Sequence, residues 1–215
     1  MRRGLLLALL LAGCSGGEEA ARHLAQGKAL LAEQKYEAAA AELSKATALD
    51  KGSMDAWLQL GNAYRGLKQL DAALAAYVAA KKIDRHAVAP HIAHAKVQLE
   101  LARVEQATSE LNLVVEMDHK NLEALILLGQ VSQLPHKLPD GTTGVSKAGL
   151  ERAELNLQAA TALAPHNAEA NYELAKVSQK LGKAEQAAAA WRQLESLAAT
   201  DPAAKYLLTL RESKP

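Results

Sequence analysis

The chain repeats itself every 34 residues, and that period restricts its fold more than any other feature. Rows starting at Ala20, Met54 and Val88 align without gaps, and rows starting at Leu122 and Ala168 complete the set once about twelve extra residues are allowed in the fourth. Counting from the first residue of each row, position 8 holds Gly27, Gly61, Ala95, Gly129 and Ala175. Position 20 holds Ala39, Ala73, Ala107, Ala153 (after the extra residues) and Ala187. Small residues at two fixed places mark where two helices of a pair cross, because a larger side chain there would push the axes apart. Four positions after the alanine comes a large residue: Leu43, Tyr77, Leu111, Leu157 and Trp191. One turn further along the second helix, it is expected to fill the gap between neighbouring pairs.

Turn residues agree with this register. Pro90 and Pro202 fall in the first turns of expected helices, where a missing N–H costs nothing. Gly66 and Gly182 lie near the turns within a pair, and Pro165 lies between rows four and five. Leu134 to Ala148 carries Pro135, Pro139, Asp140-Gly141 and Gly144, so regular helix is excluded and the turn within row four is lengthened. After the fifth row, Asp201-Pro202 opens one more helix with Tyr206, Leu207 and Leu210 on one face, as the end of a repeat stack requires.

The clearest row places Trp57, Leu60-Gly61, Tyr64, Ala73, Tyr77 and Ala80 at a spacing that resembles the tetratricopeptide (TPR) pattern. The resemblance implies an all-α, TPR-like superhelical solenoid of five helix pairs over residues 20–201, with a capping helix and tail over 202–215. Rows with His23 and Gln26, with His91 and His94, or with Asn171 depart from that pattern, so looser packing is expected there than in row two.

In TPR stacks the first helix of each pair lines a groove that takes a partner segment. Carried onto this sequence, positions 2, 5, 9 and 12 of each row face the groove, Asp55, Gln133 and Glu169 among them, and the residues expected to bind are Leu24, Lys28, Leu58, Asn62, Arg65, Ile92, Lys96, Ile126, Gln130, Tyr172 and Lys176. Leu24, Leu58, Ile92, Ile126 and Tyr172 would form an apolar floor with polar flanks, which suits an extended segment or helix from another protein. Asn62 matches one place in the carboxylate clamp of chaperone-binding TPRs. Leu58 and Ala93 stand where that clamp uses cationic or amide groups, so capture of a chaperone tail is not implied.

The start of the chain reads as a sorting signal. Met1-Arg2-Arg3 is basic, and Leu5 to Leu11 is apolar but shorter than the roughly 20 residues a membrane-spanning helix needs. Leu11-Ala12-Gly13-Cys14 follows and resembles the lipobox of bacterial lipoproteins. That resemblance implies a signal peptide at 1–13, acylation of Cys14, and a short linker at 14–19. Ser15 after the cysteine implies an outer-membrane address facing the periplasm. As Cys14 is the sole cysteine, no intramolecular disulfide and no cysteine-based zinc site can form.

Neither chemistry nor nucleic acid is indicated. The formal charge is +1, with no long basic run or basic–aromatic interleaving. His91 and His94 could share a metal ion by spacing, but no carboxylate completes a motif, and packing explains them better. Asp140-Gly141-Thr142-Thr143-Gly144 lacks the lysine of a phosphate loop, and no convincing strand precedes it. The chain is thus expected to be no enzyme and to need no cofactor or metal. A TPR lipoprotein resembles the type IV pilus pilotin family, the TPR lipoprotein of the β-barrel assembly machinery, and envelope TPR proteins of polymer export. All imply a membrane-anchored adaptor whose partner is an envelope protein such as a secretin or outer-membrane assembly component. The alternative is a structural spacer or a periplasmic ligand carrier.

Overall fold

The computed structural model describes the backbone of residues 2–137 and 142–212 and the side chains of 16–135 and 142–211. Among these residues lie eleven helices. The first pair is α1 (Arg2–Ala32) and α2 (Tyr36–Leu49), and the second is α3 (Met54–Gly66) and α4 (Leu70–Ile83). Helix α5 (Val88–Glu100) is followed by α6 (Val104–Met117), α7 (Leu122–Val131) by α8 (Lys147–Leu163), and α9 (Ala168–Lys180) by α10 (Ala184–Leu197). Helix α11 (Pro202–Glu212) ends the series. Odd-numbered helices are called A and the even-numbered ones B. Met54, Val88, Leu122 and Ala168, which open their rows in the sequence, also open helices α3, α5, α7 and α9.

The chain divides into two compact units, Met1–Leu101 and Ala102–Pro215. In the first, α1 packs on α2, α3 on α4, and each B helix on the A helix that follows it. In the second, the same arrangement joins α7 to α8 and α9 to α10, with α11 resting on both α9 and α10.

The small residues at position 8 have a physical reason visible in both units. A Cβ added to Gly27 would come within 2.4 Å of Leu43, one at Gly61 within 2.3 Å of Tyr77, and one at Gly129 within 2.4 Å of Leu157. In these three pairs the large residue on the B helix therefore lies over the small residue of its own pair. It was expected to fill the space between pairs. Leu43 does both, since it shares a core cluster with Leu60 and Ala63 of the next A helix. Gly66 serves a different contact: a side chain there would run into the ring of Tyr36, the first residue of α2.

Each ordinary A-to-B turn passes through one left-handed residue at position 15: Gln34, Lys68, Ala102 and Gly182, with φ between 56° and 73°. The following N–H reaches five residues back, from Lys35 to Leu30, Gln69 to Tyr64 and Lys183 to Ser178, closing a Schellman turn. Between pairs, Asp50, Asp84, Asp118 and Asp201 each accept a hydrogen bond from the N–H two residues on. Ser53, Asn121, Ser146 and Asn167 then cap α3, α7, α8 and α9 by accepting from the third residue along.

Three expectations change. The segment within row four is not free of strands: His136–Lys137 pairs antiparallel with Thr143–Gly144, while the tip at 138–141 lies outside the described residues. A ladder of two residues is too short for alternation to be read from sequence. In α11, Tyr206 is 63% exposed, and the face turned inward is formed by Ala204, Leu207, Leu208 and Leu210 instead. The backbone of 14–19, expected as a linker, continues α1 as helix. The Cys14 side chain lies outside the described residues, as does the tail at 213–215. Among the described residues no helix is long and apolar enough to cross a membrane.

Candidate functional site: the faces of the A helices

Rows three and five, which depart from the TPR pattern, do not pack loosely, whereas row one buries only Ala20 and Gly27 on its A helix among the described residues. Trp57 donates its indole N–H to the carbonyl of Lys51, 3.1 Å away. His91 and Asn171, at the same position of their rows, reach the carbonyls of Arg85 and Pro165 at 3.2 and 2.9 Å. All three span six residues, so imidazole and carboxamide tie down the same inter-pair turn as indole does. His91 and His94 are both buried, and α5 and α9 bury more positions than α3. Among the described residues no group of three or more side chains could hold a metal ion.

Burial divides the expected groove. Leu24 and Leu58 are half-buried and stay accessible, whereas Ile92, Ile126 and Tyr172 are 5–7% exposed and belong to the core. These three sit deeper than an i, i+3/i+4 stripe alone can tell. Tyr172 lies edge-on to Trp191 at 5.7 Å, with the Lys176 ammonium 4.8 Å above its ring. The apolar floor is therefore narrower than the sequence suggests.

Polar groups cover the rest of the face as a ladder between successive A helices. In the first unit Lys28 pairs with Asp55 at 3.0 Å, and Asp55 accepts from Gln59 at 2.9 Å. Asn62 donates to Gln59 and accepts from the Tyr77 hydroxyl at 2.9 Å. Burial pushes the Tyr77 pKa up to about 12, so it remains a donor. Arg65 and Lys68 both bind Glu100 on α5. Partial burial would raise the carboxyl of Asp55, but the Gln59 and Lys28 contacts outweigh it and hold it below its usual range. For Glu100 too, burial acts upward and is outweighed by Arg65 and Lys68.

The second unit repeats these links in the same register with other groups. Gln130 donates to Glu169 at 2.7 Å, as Lys28 does to Asp55. Lys180 donates to Gln133 at 3.2 Å, where the first unit has Arg65 and Glu100. Gln133 also donates to Glu173, which holds Lys176 at 2.9 Å. Asp55, Glu169 and Gln133 fall on the stripe expected from sequence. Gln59, Glu173, Glu100 and Lys180 at positions 6 and 13 were missed. The stripe through positions 2, 5, 9 and 12 is one residue too narrow, since 2, 6, 9 and 13 lie along the same face.

Small-at-crossing helix pairs with a polar ladder on one face define a helical-repeat scaffold. Residues 27–68 match the family of TPR repeats, and residues 55–86 match the tetratricopeptide repeat. The chain thus carries tetratricopeptide repeats. No curated protein sequence matches it significantly. Among solved structures it is similar in fold to MamA from residue 41 onward, from Desulfovibrio magneticus RS-1: 19% identical, TM-score 0.71, covering 86% of this chain and 98% of that one. It is similar to Pseudomonas aeruginosa pilF at 17% identity and TM-score 0.72, covering 90% and 82%. YrrB, a TPR protein with an unusual peptide-binding site, is 19% identical with TM-score 0.65, covering 94% and 98%.

Proposed function

We propose that the chain is a protein-binding adaptor that takes a segment of its partner along the A-helix faces and is held in the bacterial envelope by lipid on Cys14. TPR repeats are protein-interaction modules, and the likeness to YrrB, whose description names a peptide-binding site, is in keeping with that use. The observation that carries the reading is the A-helix face of the first unit. Leu24 and Leu58 remain accessible beside the Lys28–Asp55 and Arg65–Glu100 pairs. Accessible apolar side chains framed by fixed charges fit a segment that buries one or two apolar residues and reads polarity on either side.

The anchor rests on the Leu11-Ala12-Gly13-Cys14 run. Only Ser15–Glu19 separates Cys14 from the first row, and as helix those residues rise by about 1.5 Å each. The first repeat would stay close to the bilayer, and a membrane-associated partner such as a secretin or barrel subunit suits that position. The likeness to pilF is in keeping with a role in pilus assembly.

A photo-crosslinking residue at Leu58, compared with one at exposed Ala75, tests the reading in intact cells. The adaptor reading expects one dominant envelope product from position 58 and none from 75, with loss of membrane fractionation in Cys14→Ala. Equal, diffuse products from both positions would favour a spacer without a dedicated partner.

A further inference from the structure

A ring that the first unit packs between its helices is missing from the second, and a cavity stands in its place. Tyr64, at position 11 of α3, lies against the cluster of Ala40, Leu60, Ala63 and Ala76, drawn from α2, α3 and α4. Position 11 of α7 is Ser132, and it lines a cavity of about 400 Å³ walled by α6, α7 and α8, all within the second unit. The wall keeps the same register. Leu128 and Val131 have the places of Leu60 and Ala63, while Thr108 and Asn156 have those of Ala40 and Ala76. Val104, also in the wall, has the place of Tyr36.

A serine at position 11 does not open such a cavity by itself. Ser178, its counterpart on α9, is fully buried, and there position 21 of the preceding B helix is Glu154, buried and paired with Lys183. Before Ser132, position 21 is Thr108, which is half-buried and turns its hydroxyl back to the Val104 carbonyl at 2.8 Å. The mouth of the cavity is also more polar than the matching surface of the first unit. Ser109, Asn112 and Arg152 stand where the first unit has Ala41, Ser44 and Ala72. Among the described residues, the side chains of Ser109, Asn112, Arg152 and Asn156 make no hydrogen bond or ion pair. Glu105 lines the cavity too, but Glu37 has the same place in the first unit, so the guanidinium is the charge added here. An apolar floor with several unused polar groups at the mouth suits a ligand that is part apolar and part polar.

We propose that this cavity takes a tyrosine side chain from a segment of another protein, with a carboxylate beside the tyrosine meeting Arg152. The ring restores in trans the packing that Tyr64 gives the first unit, resting on Leu128 and Val131. A phenol both donates and accepts, and the Asn112 and Asn156 carboxamides at the mouth can do either in return. An acidic neighbour in the segment answers the unpaired guanidinium. The cavity uses positions 7, 10 and 11 of α7, whereas the polar ladder uses positions 9 and 12, Gln130 and Gln133. The site is therefore separate from the A-helix faces and stands or falls independently of them.

The probe is the peptide acetyl-Gly-Asp-Tyr-Asp-Gly-amide, titrated into the purified, isotope-labelled whole chain and followed by NMR. Saturable shifts are expected in the Ser132 amide and in the Asn112 and Asn156 carboxamides. A peptide with alanine for the tyrosine should bind about tenfold more weakly, and so should one with lysines for the aspartates. Ser132→Tyr fills the cavity with the chain's own ring and should abolish the shifts. If that variant does not fold, Arg152→Glu, at an exposed site, should weaken binding about tenfold and reverse the preference between the aspartate and lysine peptides. The proposal is overturned by the absence of a saturable shift in the parent, or by undiminished binding in a folded Ser132→Tyr variant. Equal binding of the alanine or the lysine peptide also overturns it. p-Cresol, the tyrosine side chain alone, should bind about tenfold more weakly than the peptide. Equal affinity would give the cavity to a small phenol and overturn the partner-segment assignment. Self-association abolished by Ser132→Tyr would give it to a second copy and overturn that assignment as well.

Discussion

The two units solve the same packing problem with different materials. The first joins its A helices by ion pairs, Lys28 to Asp55 and Arg65 with Lys68 to Glu100. The second puts a carboxamide at the matching places, Gln130 against Glu169 and Gln133 against Lys180. The register is common to both; the chemistry is not. Helix geometry fixes which positions of successive A helices meet, and any complementary donor and acceptor there will serve. At the crossings the first unit uses glycine twice, in Gly27 and Gly61, while the second uses Gly129 and then Ala175, which shares a core cluster with Trp191. That geometry is less negotiable, because a clash at 2.3–2.4 Å cannot be relieved by choosing another polar group.

The largest effect should come from the crossings. Gly61→Val and Gly129→Val each force a branched side chain into Tyr77 or Leu157 and should cost about 3 kcal/mol in denaturant unfolding. Ala175→Gly, at the crossing that already accepts a Cβ, should cost about 1 kcal/mol through helix propensity and a small void. Equal losses at all three sites would show that position 8 is not a close-approach position.

A smaller effect separates the ladders by charge. Glu100→Gln should lower stability by up to about 1 kcal/mol at neutral pH and low salt, and by less in high salt. Gln130→Ala breaks the matching type of link without an ion pair, so its cost should not depend on salt. The carboxyl of Glu100 is held below its usual range of about 4.5 in the folded chain, so its contribution is present above that value. It is lost as pH falls through the lower folded value, and the parent and Glu100→Gln should converge in acid.

The smallest effect lies in the turns. Gln34→Gly places a residue suited to φ 57° in the first unit and should gain about 0.5 kcal/mol. Gly182→Ala, at φ 73° in the second, should lose a similar amount or slightly more. Gains from both would contradict the left-handed conformation of these turns.

These turns also show what the sequence makes legible. The helix pairs can be read directly because their small residues recur at a fixed period and admit few substitutes. The left-handed position cannot, because only Gly182 carries the glycine that marks it, while Gln34, Lys68 and Ala102 tolerate the strain. Trp57, His91 and Asn171 look like departures from a pattern until the shared carbonyl bond is seen. Ile92, Ile126 and Tyr172 were expected on the groove floor, and periodicity alone cannot tell the lip of a face from its floor. Gln59 and Glu173 were missed for the complementary reason, since polar side chains on a broad face reach their partners from just outside a narrow stripe.

The account turns on the A-helix face of the first unit, and the double variant Leu24→Asp, Leu58→Asp tests it most directly. Both side chains are half-buried, and neither belongs to the fully buried core, so the helices should persist. The measurement is capture of the envelope partner found by crosslinking, read beside circular dichroism and the melting temperature of the same preparation. The account predicts loss of capture with helicity retained and melting lowered by no more than a few degrees. Undiminished capture by a folded double variant would contradict it.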